Sequence, residues 1–417
     1  MRILRLRAYY APELTASSHL EEDMGVACKK YNITSINYTP MPTRGISKDV
    51  RREYKNRKYE EMYDGYVIVH RFSMFREGKN PIQRAFRYLC CNVKEYFRSI
   101  REKNIDIVHS GSTPPTQGAL SAMVAKKLSK KYKHKVPFVY NLQDIFPDSL
   151  VNTGMTHEGS LLWKIGRKIE NYTYKNADRI IVISEGFKRN IMAKGVPEEK
   201  ITVVSNWIDL DAVQPIEKEN NALYDEFGIS RDKYIVVYAG NFGAAQGADV
   251  VLKVAEKLKD EVDIQFVIFG GGAYFEDAKV QAASLPNVII HGLLPQERVS
   301  EVYSIGDVAL ITCKQGTGNA GMPSKTWSIM ACNTPIIASF DTDSDLADVL
   351  RSSGAGKCVQ PGNAEALANA IKEACSDCSI ERKIADDIRG YVMQNASKDV
   401  CLNKYIEAMI SARESIE

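Results

Sequence analysis

Three glycine-containing segments in the second half of the chain have the residue types and spacing of anion-binding loops. They are Gly240–Gly247, Gly270–Gly272 and Gly316–Lys325, and each follows a β-branched run typical of a buried strand. Glycine allows the backbone to approach a ligand closely, and the amide groups at a helix N-terminus favour phosphate. The Gly240–Gly247 loop does not have the Gly-x-Gly-x-x-Gly spacing of a dinucleotide loop, because its next glycines are three and seven residues after Gly240. Together the three loops indicate a site for an anion of diphosphate size.

The third loop has the chemistry best suited to a phosphate group. Pro323 suits the first turn of a helix, and Ser324 and Lys325 add a hydroxyl and a cation where that helix would begin. Lys325 is therefore the best single candidate for a cationic phosphate contact. The alternatives are a solvated lysine and, for the Gly240–Gly247 loop, an ordinary strand–helix turn.

Polar side chains also follow two predicted strands in the first half. Asp144 and Asp148 come after the strand 138–141, while His109 ends the strand 105–110 and precedes Gly111-Ser-Thr-Pro-Pro115. Capping of the next helix would also explain the two aspartates, and simple packing would explain the histidine. No Ser/His/Asp or Cys/His set suited to a covalent nucleophile is apparent. Asp144 and His109 are the catalytic candidates.

Strand and helix patterns alternate along the whole chain, which predicts parallel sheets with right-handed crossovers. Two such series predict two doubly wound, Rossmann-like α/β domains. Pro215 and the charged Glu217–Asn221 interrupt the pattern, so we assign residues 1–213 and 214–397 to the two domains. We expect the helix at 398–417 to join the first domain. The predicted strands are 2–7, 105–110, 138–141, 179–183, 201–205, 234–239, 264–269, 288–291, 308–312, 335–339 and 356–359.

Composition excludes several classes of protein. The 417 residues are 44% apolar and 26% charged, which is typical of a soluble globular protein rather than a disordered or coiled-coil one. We find no secretory signal and no apolar run near the roughly 18 residues that span a bilayer. The nine cysteines are scattered, and Cys375-x-x-Cys378 lacks further zinc ligands. We expect reduced thiols in the cytoplasm and no metal or other cofactor.

The net charge of +3 conceals an uneven distribution. Residues 1–213 contain 36 Lys and Arg against 23 Asp and Glu, a net charge of +13. Residues 214–417 contain 19 against 29, a net charge of −10. The first half is therefore expected to meet something anionic: nucleic acid, an anionic membrane surface or a phosphorylated acceptor.

One predicted helix, at 81–103, has both an apolar stripe and a row of basic residues. Such a helix can lie on an anionic membrane surface. The alternative is a helix whose apolar stripe faces the core and whose basic face is solvated. A second basic cluster follows at Lys126–Lys135. The apolar stripe consists of Ile82, Ala85, Phe86, Leu89, Cys90, Val93, Tyr96, Phe97 and Ile100, and the basic row of Arg84, Arg87, Lys94, Arg98 and Arg101.

Several segments, which follow one another along the chain in the same order as in a known family, make the chain resemble the family-4 retaining glycosyltransferases of GT-B fold. Within that family, Ser112–Pro115, Asp144–Asp148 and Gly240–Gly247 with Met322–Lys325 resemble the O-antigen and capsule branch, which includes N-acetyl-L-fucosamine transferase-like proteins. The wider match comprises Tyr9–Glu13, Asp106–His109, Ala177–Ser184, Gly195–Ile201, Asn206–Asp209, Asn287–Gly292, Tyr303–Asp307 and Met330–Pro335.

The resemblance implies a fold, a reaction and partners. The fold would be GT-B, with two Rossmann-like domains facing across a cleft. The second domain would bind a UDP-sugar, the first a polyprenyl-diphosphate-linked saccharide, and the protein would lie peripherally on the inner face of the plasma membrane. Transfer would retain the anomeric configuration without a metal or a covalent enzyme intermediate, with the leaving diphosphate accepting the proton. Such chemistry depends on positioning and on stabilisation of phosphate charge.

The resemblance also implies which residues form the site. At some of these positions, this chain has a different residue from the one typical of the family. The family's Glu-x7-Glu positions fall on Ala320 and Ser328, and its diphosphate-binding Arg and Lys fall on Asn241 and Gln246. Its Gly-Gly loop falls on Thr15 and Ala16. The loss of two cations places more weight on Lys325 and on backbone amides. The implied donor-binding residues are Gly240, Asn241, Gly243, Gln246, Gly271, Gly272, Leu293, Met322, Pro323, Ser324, Lys325 and Ser328, and the acceptor-binding residues are Thr15, Ser17, Ser112 and Asp148.

Two other functions remain open. UDP-N-acetylglucosamine 2-epimerases share the GT-B architecture but need no lipid acceptor or basic membrane face. An inactive scaffold is suggested by the missing carboxylates, and would bind no nucleotide. We expect no nucleic-acid binding, since the basic clusters have no accompanying recognition fold.

Overall fold

The computed structural model describes residues 1–13, 18–77, 80–152, 154–244, 246–318, 321–376 and 388–415. The chain forms two compact units, Met1–Asn206 with Cys401–Glu417, and Trp207–Val400. The division falls seven residues before the boundary predicted at 213/214. Residues just after it pair within the second unit, because Ile208 N–H donates to Ala396 O and Lys398 N–H donates to Ile208 O.

The first unit is built on an eight-stranded sheet. Its strands are β1 (Arg2–Leu6), β2 (Thr34–Pro40), β3 (Tyr59–Met62), β4 (Val67–Phe72), β5 (Ile107–Gly111), β6 (Phe138–Leu142), β7 (Arg179–Val182) and β8 (Ile201–Val203). The strand order is β3-β4-β2-β1-β5-β6-β7-β8, and every pair is parallel except β3 with β4. The chain moves from β1 to β2 in one direction and reaches β5 on the other side of β1. The topological switch point, where doubly wound sheets bind ligands, is therefore between β1 and β5.

In the described residues up to Asn206, the first unit has seven helices: α1 (Ser18–Lys30), α2 (Lys48–Tyr54), α3 (Pro81–Ser99), α4 (Gln117–Tyr132), α5 (Asp148–Asn152), α6 (Leu161–Asn176) and α7 (Glu185–Ala193). The crossovers through α3, α4, α6 and α7 all run in the same direction along the sheet, and right-handed crossovers therefore place these four helices on one face. α4 packs against both α3 and α6.

Most of the described residues of the predicted apolar stripe of α3 face solvent, and only Tyr96 and Ile100, near its end, pack against the core as the core-facing alternative expected. Phe86, Leu89, Val93 and Phe97 are 49–59% exposed, and Phe75 stacks on Phe86 with ring centroids 6.0 Å apart. On the opposite side, Arg87, Cys91, Asn92, Glu95 and Ser99 are buried.

Hydrogen bonds offset the desolvation cost of burying the polar side of α3. Arg87 Nε donates to Phe75 O at 3.2 Å, and Gln117 Nε2 donates to Glu95 Oε2 at 2.8 Å. Glu95 Oε1 also accepts from the Arg7 backbone N–H at 3.2 Å. Burial nevertheless raises the pKa of Glu95 to about 7. The solvated basic face was therefore a wrong expectation for Arg87, although Arg101 is exposed as expected.

An ion cluster fastens the short helix α5 to α6 and α7. Asp148 accepts from Arg167 Nη2 at 2.7 Å and from Lys194 Nζ at 2.8 Å. Lys194 also contacts Glu170 at 2.8 Å, and Arg167 pairs with the same glutamate. Partial burial raises the pKa of Asp148, but the hydrogen bond and charge of Lys194, with Arg167, more than offset it and lower the pKa below its usual value. The ionised aspartate is the form that stabilises this part of the unit.

The second unit contains a six-stranded, fully parallel sheet. Its strands are β9 (Tyr234–Asn241), β10 (Ile264–Gly271), β11 (Val288–Gly292), β12 (Val308–Thr312), β13 (Ile336–Ser339) and β14 (Gly356–Val359). They are ordered β11-β10-β9-β12-β13-β14, so the switch point is between β9 and β12. The continuous apolar run Phe266–Phe269 is fully buried, as expected for a parallel strand covered on both faces. The remaining helices are α8 (Leu223–Phe227), α9 (Asp249–Lys257), α10 (Phe275–Ala282), α11 (Val299–Ser304), α12 (Lys325–Ala331), α13 (Asp345–Ser353), α14 (Ala364–Ser376), α15 (388–395) and α16 (Lys398–Glu414).

All eleven predicted strands are present, within two residues at most ends, but β2, β3 and β4 were not predicted. β2 buries Ser35, Asn37 and Thr39 on one of its faces, so it lacks the apolar pattern of a central strand. Asn37 Nδ2 is satisfied by Ser35 O and Ile68 O, which lets an amide occupy the interior.

No helix among the described residues is long and apolar enough to cross a membrane. Within the same part of the chain, no two cysteines form a disulfide with each other and no cluster of side chains could hold a metal ion. Cys378 lies outside the described residues.

The Asp148 cluster predicts a pH-dependent stability. Replacing Asp148 with Asn should lower the free energy of unfolding by about 1–2 kcal/mol at pH 7, because Lys194 and Arg167 lose their partly buried partner. Since the folded-state pKa is lowered, the contribution is present above the unfolded value of roughly 4 and disappears as the pH falls through the folded value. Thermal unfolding from pH 7 to pH 3.5 should therefore show a difference that shrinks below about pH 4.

Asp64→Asn is the matched control, since Asp64 forms an exposed ion pair with Lys29. An exposed pair contributes about 0–1 kcal/mol, so this variant should differ little from the parent at any pH. Equal losses for the two variants would contradict the assignment of Asp148 to a stabilising cluster.

Candidate functional site

The glycine loops that follow β9 and β12 lie at the switch point of the second unit. They are packed against each other, because a Cβ on Gly247 would lie 2.6 Å from Cys313 O, at the end of β12. Gly247 also has a φ of +57°, a left-handed conformation that favours glycine. Glycine is therefore needed at position 247 for steric reasons. Without a side chain there, the loops after β9 and β12 can meet at one crevice.

Lys325 places its ammonium group in this crevice. Nζ donates to Ala239 O at 3.1 Å and lies 4.3 Å from the centroid of the Tyr238 ring. A Cβ on Gly240 would be only 3.1 Å from Nζ, so the missing side chain leaves room for the lysine. No carboxylate among the described residues is within ion-pairing distance of it. Burial alone lowers the pKa of Lys325 to about 8.

Asn241 fills the space between the first and second glycine loops. A Cβ on Gly272 would lie 1.8 Å from Asn241 Oδ1, and a Cβ on Gly243 would lie 2.9 Å from Asn241 Nδ2. The backbone N–H of Phe242 donates to Gly271 O at 2.6 Å, which joins the loops further. The side chain of Gln246 approaches Gly243 in the same way. The structure thus brings four predicted donor-binding residues together. They are Asn241 and, close to its side-chain amide, Gly243, Gln246 and Gly272.

The other predicted donor residues are more dispersed. Leu293 is exposed, and its Cδ1 would lie 3.1 Å from a Cβ on Gly271. Met322 packs against the core of the second unit, whereas Ser324 is exposed. Ser328 is within α12, where its carbonyl caps the helix end. Pro323 precedes this helix, whose seven residues make any dipole contribution small.

Asp341, at the end of β13, is a positioning residue that sequence reasoning missed. Its carboxylate accepts from Gly316 N–H at 3.0 Å and from Gly318 N–H at 2.7 Å, and it is buried. It therefore fixes the start of the loop that leads to Lys325. The only sequence signal was an acidic residue after a strand, which capping or solvation would explain equally well.

In the first unit, Ser112 and Asp144 meet beside the ends of β5 and β6. Ser112 Oγ accepts the backbone N–H groups of Gln143 and Asp144 at 3.0 and 3.1 Å. Because Ser112 is buried and its oxygen is engaged, the predicted acceptor contact is better described as a positioning role. Asp144 itself accepts from Ser149 Oγ at 3.2 Å, and burial raises its carboxyl pKa. Asp144 remains a candidate for contact with a hydroxyl group.

His109 is not placed where a substrate could reach it. It is buried, Arg5 Nε donates to its Nδ1 at 3.4 Å, and its Nε2 is 2.7 Å from Tyr405 Oη of α16. Burial and the nearby Arg5 and Arg7 lower the pKa of His109 well below the usual value, so the ring is neutral. His109 is therefore a packed side chain, the alternative to a catalytic role given above, and it connects β5 to α16.

The remaining acceptor candidates have separate outcomes. Asp148 uses both carboxylate oxygens in the cluster with Arg167 and Lys194, so its assignment to acceptor binding is replaced by a structural one. Thr15 and Ser17 lie outside the described residues and stay predictions, as does the family position at Ala320.

Comparison with known families identifies both units. Residues 49–212 match the Glycosyltransferase Family 4 model, and residues 220–390 match the Glycosyl transferases group 1 model. The "Probable glycosyltransferase WbjE" of Pseudomonas aeruginosa is 27% identical over 73% of this chain and 74% of its own length. The "Putative colanic acid biosynthesis glycosyl transferase WcaI" of Escherichia coli is 26% identical over 57% of this chain and 59% of its own length.

Solved structures agree on the fold. Sucrose-phosphate synthase from Thermosynechococcus elongatus superposes with a TM-score of 0.72 at 16% identity, covering 99% of both chains. Anabaena Alr3699/HepE in complex with UDP gives a TM-score of 0.70 at 15% identity, covering 99% of this chain and 100% of the other. The Glycosyltransferase Family 4 model thus matches most of the first unit and the Glycosyl transferases group 1 model most of the second, and the chain has the GT-B fold of these solved structures.

Proposed function

We propose that this protein transfers a sugar from a UDP-sugar to a lipid-linked saccharide in the synthesis of a bacterial surface polysaccharide. The observation that carries the proposal is the placement of Lys325, without a carboxylate partner among the described residues, beside the Gly240 loop at the switch point of the second unit. A diphosphate would supply the anion that this desolvated ammonium lacks. The UDP found in the HepE structure, of similar fold, supports the choice of nucleotide.

The proposed mechanism depends on electrostatics rather than on a protein nucleophile. As the bond from the sugar to the diphosphate breaks, negative charge grows on the leaving oxygen, and Lys325 with the loop amides stabilises it. The acceptor hydroxyl gives its proton to that same oxygen while it bonds to the anomeric carbon on the same face, so the configuration is retained. Asp144 accepts a hydrogen bond from a neighbouring hydroxyl group of the acceptor and so orients the reacting one.

Relatives and charge guide the choice of acceptor. The name of WcaI assigns that relative to colanic acid biosynthesis, which supports a role for the present chain in a polysaccharide pathway. The sequence resemblance to the N-acetyl-L-fucosamine transferase-like branch favours an N-acetylated or deoxy-amino sugar as the donor. A polyprenyl-diphosphate carrier fits the net charge of +13 on residues 1–213. This acceptor is confined to a bilayer, so its enzyme needs a membrane-binding surface.

The outer surface of α3 and α6, which we call the apolar surface, has the composition of such a membrane contact. On α3 it consists of Phe86, Leu89, Val93 and Phe97. On α6, Leu161, Leu162 and Ile165 are 48–76% exposed. Both helices cover the same face of the sheet, with α4 between them.

Exposed cations lie on α6 and at the end of α4, the helix between α3 and α6. Six exposed basic residues belong to the segment 126–135 at the end of α4, and Lys164 and Lys168 are exposed on α6. Near an anionic leaflet each Lys or Arg contributes about 1 kcal/mol, and each large apolar side chain that leaves water contributes about 1.5–3 kcal/mol. A bilayer is the partner that satisfies both sets of residues, and we assign the apolar surface to an anionic membrane.

Product analysis tests the proposed reaction. The purified chain is incubated with UDP-N-acetylhexosamines and bacterial polyprenyl-diphosphate saccharides, and the lipid fraction is examined by mass spectrometry and NMR. We expect one added sugar whose anomeric configuration equals that of the donor. An epimerised nucleotide sugar formed without acceptor would identify an isomerase instead. Absence of both products and of UDP binding would identify a scaffold.

Two isosteric variants separate catalysis from folding in the same assay. Asp144→Asn should lower turnover with the acceptor by about 10²-fold, because the hydroxyl loses its orienting carboxylate, while UDP affinity stays the same. Asp148→Asn should lower stability but preserve turnover at a temperature where the variant is folded. An Asp144→Asn variant as active as the parent would remove Asp144 from the site.

Vesicle binding tests the apolar surface. The double variant Phe86→Ser and Phe97→Ser should reduce co-sedimentation with phosphatidylglycerol-containing vesicles at least tenfold, because two exposed rings no longer enter the bilayer. Binding of the parent should also weaken with salt, and vesicles of phosphatidylcholine alone should bind less protein.

Val262 and Val280 provide the matched control. Both are about three-quarters exposed and belong to the second unit. Replacing both by Ser should leave vesicle binding unchanged. If the Phe86 and Phe97 variant instead loses self-association in sedimentation analysis, with vesicle binding unaffected, the surface joins two copies of the chain and the membrane assignment is wrong.

A further inference from the structure

A cavity in the first unit lies apart from the groups assigned above. Its volume is about 440 Å³, which is within the usual range of small-molecule sites. It lies where the edge hairpin β3–β4 meets α2, and Ala11 from the segment after β1 completes its wall. Arg71 is next to the last residue of β4, so the cavity is near the carboxyl end of that strand. The lining residues are Ala11, Tyr54, Arg57, Tyr59, Glu60, Glu61, Met62 and Arg71.

The guanidinium of Arg71 forms the inner wall and has an unused donor. Its Nε donates to Glu60 Oε2 at 2.8 Å, and its Nη2 donates to Ala11 O. Its Nη1 is buried and has no hydrogen-bond partner among the described residues. The side chain is almost wholly buried and Nη1 is shielded from solvent, so this donor lies behind the cavity wall. The exposed cation that lines the cavity is Arg57.

Aromatic side chains provide flat surfaces beside this donor. The guanidinium carbons of Arg57 and Arg71 lie 4.8 and 4.9 Å from the centroid of the Tyr54 ring. Tyr59 is about half exposed at the rim, and its hydroxyl donates to Glu61. An exposed ring of this kind can cover the apolar C–H face of a pyranose, whose hydroxyl groups then meet the polar wall.

The charges that line the cavity cancel. Arg57 and Arg71 are opposed by Glu60 and Glu61, and Glu60 bridges both arginines, with Arg57 Nη1 at 3.3 Å from its Oε1. A phosphate or carboxylate ligand would meet these two carboxylates at close range. A neutral ring with several hydroxyl groups can instead accept from the guanidinium groups and donate to the carboxylates.

We propose that this cavity binds a neutral pyranose ring of the acceptor saccharide. Tyr59 covers the ring, and Arg57 with the lining carboxylates binds its hydroxyl groups. The inference rests on the proposed transfer to a saccharide and adds to it a binding site that is separate from Asp144. The site selects the acceptor by a sugar unit rather than by its lipid.

Saturation-transfer NMR on the intact chain tests the site. The probes are the methyl glycosides of glucose, galactose and N-acetylglucosamine and, for comparison, methyl glucuronide. We expect at least one neutral glycoside to bind, and Tyr59→Ala to weaken it at least tenfold. Tyr59→Phe should bind nearly as well as the parent, because the ring remains. Preference for the glucuronide would contradict the charge argument.

Controls and a second readout keep this test separate from that of the proposed function. Arg57→Ala should weaken binding, whereas Lys58→Ala, which removes a neighbouring exposed cation that does not line the cavity, should not. In the transfer assay, Tyr59→Ala should raise the KM for acceptor and leave UDP affinity unchanged. If UDP binds and sugar is transferred but no variant alters glycoside binding or KM, this inference is wrong and the proposed function stands. Glycoside binding without UDP binding would overturn the proposed function alone.

Discussion

The desolvated ammonium group of Lys325 is the interaction on which the second unit's site depends. Partly buried against Tyr238 and the Ala239 carbonyl, without a carboxylate partner among the described residues, it is a cation that lacks an anion. Such an arrangement is unfavourable in the free protein and would become favourable with the proposed diphosphate bound. Other features of this crevice serve it. Gly240 leaves space for Nζ, Gly247 allows the loops after β9 and β12 to touch, and Asp341 fixes the loop that leads to α12.

The uneven charge of the chain gains a physical meaning from this arrangement. Residues 214–417 have a net charge of −10, so the long-range field of this half disfavours a diphosphate. Local groups must therefore supply the attraction, and burial strengthens them, because the same charge acts more strongly where water is excluded. In the basic half the cations of α4 and α6 are instead exposed, and α6 also exposes apolar side chains. Exposed cations suit a broad, anionic partner such as a membrane, whereas one buried cation suits a single small anion.

Much of the fold could be predicted from the sequence because its parallel strands are covered on both faces and appear as apolar, β-branched runs. The region of β2 to β4 could not, since Asn37 and its neighbours are buried polar residues whose partners come from other strands. The helical period of α3 was evident, but periodicity does not say which stripe faces the unit. Only the structure shows that Arg87 and Glu95 find partners inside while Phe86 and Phe97 face solvent. At the site, Lys325 and the glycine loops were predictable as strand-end features. Asp341 and the engagement of His109 depend on long-range contacts that no local pattern reveals.

Calorimetry of UDP binding tests the central role of Lys325 most directly. The parent chain and Lys325→Gln are titrated with UDP at pH 7 to 9, in buffers that differ in ionisation enthalpy. Because the free ammonium has a pKa of about 8, the parent should take up protons on binding near pH 8 to 9 and bind more weakly as the pH rises. Lys325→Gln should bind UDP at least tenfold more weakly at pH 7 and take up none of these protons. Equal affinity and equal proton uptake in the two proteins would contradict the account.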